Sequence, residues 1–276
     1  MALNLKTLGT RSLSGAIFVV LLLGSVWYGY TSFCLFFLLV SLMGLKEFYN
    51  LSANFKLQSF NWIGLLLGLF FYLLFINWHL FLPQFSVGKI QSLVVLFPFI
   101  LLVAALFTST SQAVLSAIYT MAGLIYAVLP FTLLQSLVLT NEGEYKPHLL
   151  TGVIFLIWSN DTFAYLGGSL FGKNKMIERI SPGKTWEGTI FGILMTFVIC
   201  FILQRYLITF NDNRWIILGA LVPVLATLGD LVESLLKRQA GVKDTGNIMP
   251  GHGGVLDRFD SLIFVTPFVY ILLLAY

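Results

Sequence analysis

The sequence predicts an all-α polytopic membrane protein with about nine transmembrane helices and a cytoplasmic N-terminus. Three observations predict it. Hydrophobic residues make up 58% of the 276 residues and charged residues only 10%, where a soluble domain carries about 25% charge. The mean hydropathy is +0.90. Apolar runs of span length recur along the whole chain. So little charge cannot coat a water-facing globule, which excludes a soluble enzyme, a disordered protein and most nucleic-acid binders. The net charge of +4 fits basic cytoplasmic loops beside anionic lipid better than nucleic acid.

A crossing helix needs about 20 apolar residues, with a range of about 17–25. Leu13–Tyr30 follows Lys6 and Arg11, as the apolar core of a signal peptide would. No small-residue cleavage site follows and a second apolar run comes at once, so the span is read as retained. Ser32–Leu45 is short and reads as a steep or re-entrant span. Phe60–Leu82 and Ile90–Phe107 are of ordinary length. Ala113–Leu139 is long and holds Pro130, which predicts a kink or break there. Leu149–Leu166, Thr189–Ile208, Trp215–Gly229 and Phe259–Tyr276 complete the set. Cys34 and Cys200 lie inside apolar runs without partners at metal-ligand spacing, and both read as buried packing.

Orientation follows from the Lys/Arg bias. With nine alternating spans and the N-terminus inside, the cytoplasmic segments hold Lys6, Arg11, Lys46, Lys56, Lys173, Lys175, Arg179, Lys184, Lys237, Arg238, Lys243 and Arg258. The outside holds Lys89, Lys146, Arg205 and Arg214. Twelve against four favours this placement. Nine of the twelve acidic residues lie after residue 150. The chain therefore reads as one integral-membrane domain, in which 1–145 is mainly scaffold and 146–276 carries the chemistry. No repeat of a fixed period and no inverted pair of broken helices is found.

Three polar clusters fall on the cytoplasmic side. The first is Asn160-Asp161 with Tyr165, Gly167, Gly168, Gly172 and Lys173. An ionisable residue such as Asp161 inside an apolar helix costs about 2.5–3.5 kcal/mol on insertion scales and marks function by default. The second is Ser181-Pro182-Gly183-Lys184-Thr185-Trp186-Glu187-Gly188. It reads as a helix start, where free N–H groups attract phosphate and Lys184 and Thr185 add a charge and a hydroxyl. Trp186 there also suits an interfacial anchor. The third runs from Asp230 to Asp260. Asp230, Glu233 and Lys237 share one helix face, and Asp257 and Asp260 are again three apart. Carboxylate pairs at two helix ends can hold hard cations. Lys237, Arg238, Lys243 and Arg258 suit phosphate oxygens. The turn Pro250-Gly251-His252-Gly253-Gly254 lets backbone N–H groups approach an anion. His252 reads equally as a base or phosphate contact and as an organiser of the turn. Together these are the parts of a Mg²⁺-dependent phosphoryl or nucleotidyl transfer site.

The segment Ser234-x-Leu236-Lys237-Arg238-x4-Lys243-Asp244-x-Gly246-x3-Pro250-x-His252-Gly253-Gly254-Val255-x-Asp257-Arg258-Phe259-Asp260 resembles the signature of the phosphatidate cytidylyltransferase family, also called CDP-diacylglycerol synthases. Met249 stands where the family usually has an aliphatic such as leucine. Ser181-Pro182-x-Lys184-Thr185-Trp186-Glu187-Gly188 and Asn160-Asp161-Thr162 with Ala164, Tyr165 and Gly168 are similar to two further family segments. The resemblance implies transfer of a cytidylyl group from CTP to phosphatidate with Mg²⁺, with room for a second cation. It implies metal binding by Asp230 and Asp257, with Asp260 as a third ligand or a partner to one. Lys184, Lys237, Arg238, Lys243 and Arg258 would neutralise the phosphates, beside Ser181, Thr185, Gly253 and Gly254. Asp161 would orient the nucleotide or steady a lysine. The expected partners are CTP, phosphatidate and the bilayer, with no nucleic acid; a homodimer is compatible. The expected location is a bacterial inner membrane, with the site facing the cytoplasm. A CTP-using polyprenol or dolichol kinase and a transporter or channel are the rival readings. The long match from residue 234 to 260 disfavours the first. Charge gathered at one face disfavours the second.

Overall fold

The computed structural model describes residues 5–55, 57–77, 91–140, 142–207, 214–248 and 253–275, with side-chain surroundings from residue 12 onward. The helices are α1 (Leu5–Tyr28), α2 (Tyr30–Leu51), α3 (Asn61–Phe75), α4 (Phe97–Leu106), α5 (Ala113–Ala127), α6 (His148–Phe171), α7 (Trp186–Tyr206), α8 (Arg214–Gln239) and α9 (Leu256–Ala275). A two-stranded antiparallel hairpin, β1 (Lys175–Ile177) and β2 (Ser181–Thr185), adds the strand structure that an all-α reading omits. Among the described residues, six helical segments are long and apolar enough to cross a membrane: Tyr30–Phe55, Ala113–Val138, His148–Phe171, Trp186–Tyr206, Arg214–Gln239 and Leu256–Ala275. Shorter apolar helices cover Ser12–Tyr28, Asn61–Phe75 and Ser92–Leu106. The protein is a multi-pass membrane protein by these lengths and compositions.

Several spans differ from their expected bounds. The short run Ser32–Leu45 becomes the 22-residue α2, because Lys46, Glu47 and Asn50 continue the helix past the apolar stretch. The long run around Pro130 is broken. α5 stops at Ala127, and the short helical turns Leu129–Leu133 and Gln135–Val138 follow, as expected where proline removes an N–H and crowds the preceding turn. α8 runs ten residues beyond Gly229 to Gln239, carrying the polar end of the sequence in the same rod. The C-terminal part of Phe60–Leu82 lies outside the described residues.

The chain forms two compact units. The first comprises Met1–Gln135 and Ala240–Arg258. Its core packs α2 against α1, α3 and α5. Tyr49 on α2 is buried, and its hydroxyl donates to the Thr120 carbonyl at 2.8 Å. Gly64 and Gly123 make room for its ring, since a Cβ at Gly123 would come within 2.5 Å of it. Small residues at such crossings are what lets helices approach in lipid, where no hydrophobic force joins them. Tyr30 donates to Gln135 Oε1 at 2.7 Å, and Phe48 stacks on Tyr119.

The second unit comprises Ser136–Gln239 and Phe259–Tyr276. α6 and α7 form its most extensive contact. Gly188 and Gly192 of α7 face Ala164, Gly168 and Asn160 of α6 so closely that a Cβ at Gly188 would lie 2.6 Å from the Ala164 carbonyl oxygen. α8 packs on both. Cys200 is buried and donates from Sγ to the Trp215 carbonyl, and Cys34 is likewise a buried free thiol. Gly229 of α8 lies against α9, where a Cβ would sit 2.8 Å from the Asp260 carbonyl oxygen. That close crossing places Asp230 beside Asp260. In the loop before α6, Lys146 hydrogen-bonds Glu144 and holds its carboxyl below the usual range; an exposed pair of this kind contributes little stability.

Candidate active site

In the second unit, the end of α6 and the start of α7 are strapped together before any functional group is placed. Glu187 accepts from Lys173 N, Asn174 N and Asn174 Nδ2, so the chain leaving α6 is tied to the first turn of α7. Lys175 pairs with Thr185 across the hairpin. Thr185 is the N-cap of α7, with its hydroxyl accepting from Gly188 N at 3.2 Å. The helix thus begins at Trp186, not at the Ser181-Pro182 turn. Strand pairing takes Ser181–Thr185, and the Thr185 hydroxyl accepts in the cap, which uses a lone pair and not its proton.

The hairpin carries Lys184 to α8. Its ammonium lies 2.5 Å from Asp230 Oδ2, and Ser234 donates to Asp230 Oδ1 at 3.2 Å. One helical turn on, Lys237 pairs with Glu233 at 2.5 Å, the i,i+4 arrangement their spacing allows. Glu233 is only 1% exposed, so loss of Lys237 would leave a buried charge, which is strongly unfavourable. Arg238 donates from Nε to the Ile180 carbonyl, bracing the hairpin from below. Asp260 on α9 accepts from its neighbour Ser261 N at 2.6 Å.

Two features make this a candidate site. Asp230, Glu233 and Asp260 each turn a carboxylate oxygen to within 4.8 Å of the others. A pocket of about 390 Å³ is lined by Asn160, Asp161, Lys184, Thr185, Thr227 and Asp230, with Ser181 at its wall. Its size falls in the range of small-molecule sites, roughly 300–1,000 Å³. Lys184 and Lys237 pair with two of the three carboxylates, and three hard oxygens suit Mg²⁺. The residues therefore fit a divalent cation.

The first unit holds the remaining sequence-predicted residues. Lys243 and Arg258 are exposed. His252 lies outside the described residues. Asp257 sits in the first turn of α9, and its Oδ2 accepts from Thr245 N at 2.9 Å, Thr245 Oγ1 at 2.9 Å and Gly254 N at 2.8 Å. Beside it is Glu47 of α2, 4% exposed, which accepts from Val255 N at 2.8 Å, Leu256 N at 2.9 Å and Thr245 Oγ1 at 3.1 Å. The N–H groups of Gly254, Val255 and Leu256, where the glycine turn enters α9, thus point at the protein's own carboxylates. The glycines there are spacing devices. A Cβ at Gly253 would lie 2.7 Å from Asp257 Oδ2, and one at Gly254 would lie 2.5 Å from Glu47.

Sequence reasoning missed Glu47 as a functional candidate. One signal for it existed, since Glu47 is the only acidic residue in the first 140. Spacing pairs Glu233 with Asp230 as carboxylates able to hold a cation, although the resemblance assigns Glu233 no role.

An α-helical membrane protein with a carboxylate cluster beside a lysine-lined pocket has the form of a nucleotide-handling transferase. The chain matches the cytidylyltransferase family over residues 9–276 and belongs to it. A phosphatidate cytidylyltransferase of Staphylococcus haemolyticus (strain JCSC1435) is 34% identical over 272 residues, covering 96% of this chain and 98% of its own. One from Staphylococcus aureus (strain COL) is 32% identical over 266 residues, with the same coverage. One from Haemophilus influenzae is 42% identical over 138 residues, 47% of this chain and 46% of its own.

Proposed function

We propose that this protein transfers the cytidylyl group of CTP to phosphatidate, giving CDP-diacylglycerol and pyrophosphate for phospholipid synthesis. A phosphate oxygen of the lipid attacks the α-phosphorus of CTP. A new P–O bond forms as the bond to the β-phosphate oxygen breaks, and pyrophosphate leaves. No protein nucleophile is required, because such transfer rests on positioning and charge neutralisation.

The observation that carries this reading is the Lys184–Asp230 pair at the wall of the pocket. It offers a cation to phosphate oxygens and a carboxylate to a metal, the two partners that a metal-bound nucleotide presents together. Asp161, exposed on α6 in the same pocket, orients the nucleotide. Lys237, held by Glu233, adds positive charge two turns along α8 from Asp230. Asp230 and Asp260, with Glu233 beside them, would hold Mg²⁺, which supplies neutralisation of the developing charge on phosphate oxygens. The resemblance assigns Asp257 to cation binding as well, whereas its Oδ2 serves the loop in this structure. We further propose nine spans with the N-terminus and the site on the cytoplasmic side.

Purified protein in detergent, given CTP labelled at the α-phosphate and phosphatidate, should form labelled CDP-diacylglycerol. Lys184→Ala should lower kcat/KM more than tenfold, or about 1.4 kcal/mol. Label on a polyprenol from γ-labelled CTP, with none on phosphatidate from α-labelled CTP, would replace this reading with a kinase.

A further inference from the structure

We infer that Glu47, in the half of the chain that otherwise reads as scaffold, is a positioning residue for the loop that holds Thr245 and Gly254 and for Asp257 at the start of α9. The inference rests on the function proposed above for what it predicts about turnover, and on geometry alone for what it predicts about the loop.

The backbone enters α9 through Gly254, Val255 and Leu256, where N–H groups at a helix start have no partners within the helix. A side chain of the same helix usually supplies the cap. Here the cap is divided between two carboxylates. Asp257, three residues on, takes Gly254 N, and Glu47, more than two hundred residues earlier in sequence, takes Val255 N and Leu256 N. Both of its oxygens are engaged and it is almost fully buried. A negative charge at a helix N-terminus is favourable, most so when partly desolvated.

The two carboxylates are joined by one side chain. Thr245 Oγ1 lies 2.9 Å from Asp257 Oδ2 and 3.1 Å from Glu47 Oε2. A hydroxyl carries one proton to donate, so the two acids share it. Any movement of Asp257 is therefore felt by Glu47 and the reverse. The glycines complete the device. Cβ atoms at Gly246 and Gly254 would strike the Glu47 carboxylate, and one at Gly253 would strike Asp257. The loop around Glu47 and Asp257 thus accommodates two carboxylates and nothing bulkier. Glu47 accordingly fixes where Asp257 sits and where α9 begins, and does so without touching substrate.

Glu47→Gln tests this, because an amide keeps the shape but must turn its NH2 toward Val255 N, Leu256 N or the Thr245 hydroxyl. Hydrogen exchange of the purified protein should quicken at least tenfold at the amides of Thr245 and Gly254 through Asp257, with peptides of α6 and α7 unchanged. Unaltered exchange in that loop overturns the inference whether or not the wild type converts phosphatidate. In turnover, Glu47→Gln should lower kcat about 10–100-fold, the range seen for residues that orient ligating groups. Added to Asp257→Asn it should cost little more, since coupled residues are not additive. Losses that multiply overturn the inference. Where Glu47→Gln does not accumulate as folded protein, the Thr245 pair decides. Thr245→Val should lower kcat at least tenfold and Thr245→Ser should restore it. Equal activity of the two rejects the shared-hydroxyl link.

Discussion

The side chains with the clearest chemical assignments are those whose charge has a named partner. Lys184 sits on Asp230, Lys237 on Glu233, and Asp257 on the N–H groups of its own loop. Asp257 is the residue where two roles must be separated. A ligand and a loop brace both make Asp257→Asn costly, because the amide removes the charge and can present an NH2 to donors. We expect turnover to fall by about two orders of magnitude or more in either case, from the loss of oriented charge stabilisation. The Mg²⁺ titration divides the roles. A ligand shifts the half-saturating Mg²⁺ concentration upward, whereas a brace lowers kcat with that concentration unmoved. Near-wild-type kcat with unchanged Mg²⁺ dependence would deny Asp257 both.

The elements of the second unit are held at the distances their glycines permit. Between α6 and α7 the atoms that a Gly188 Cβ would meet are backbone, the Ala164 carbonyl and Gly168 Cα, so no side-chain rotation can relieve the contact. Overpacking of this kind typically costs about 1–3 kcal/mol. Gly188→Ala should therefore lower the thermal midpoint in detergent and loosen the strap at Glu187. Gly24→Ala is the control. Nothing lies within 4 Å of its added methyl, and alanine is the better helix former by about 0.8–1 kcal/mol. A midpoint that is lower for Gly24→Ala, or unchanged for Gly188→Ala, would remove close packing as the reason for these glycines.

For the molecule as a whole the decisive quantity is sidedness. Twelve of sixteen Lys and Arg fall in the segments assigned to the cytoplasm, and positive loops are retained on that side. Reporter fusions after Lys175, in the hairpin, and after Gly241, beyond α8, should both read cytoplasmic. Two spans separate them in the proposed topology, so opposite readings would break the single-face arrangement of the polar clusters. A phosphatidate headgroup at that face would meet CTP from the cytosol without either substrate crossing the bilayer.

The membrane class was legible from composition alone, because a bilayer demands apolar length whatever the packing. The shared face of Asp230, Glu233 and Lys237 was legible from spacing, since helical periodicity puts i and i+3 or i+4 on one face before any tertiary contact exists. The carboxylate trio was not. Asp260 joins Asp230 and Glu233 only because Gly229 lets α8 and α9 approach, and that is a property of two helices together. The start of α7 also lay beyond local reading, since Ser-Pro favours a helix start but pairing with Lys175–Ile177 draws the segment into a strand. The glycine turn read as a cradle for a substrate phosphate. Where that turn enters α9, at Gly254, Val255 and Leu256, the fold supplies anions of its own, and one of them, Glu47, comes from an apolar helix with no neighbouring acid to draw attention to it. Sequence determines which groups are available and which share a helix face. Only tertiary structure decides which buried N–H groups are already satisfied, because each must find a partner and that partner can lie anywhere in the chain.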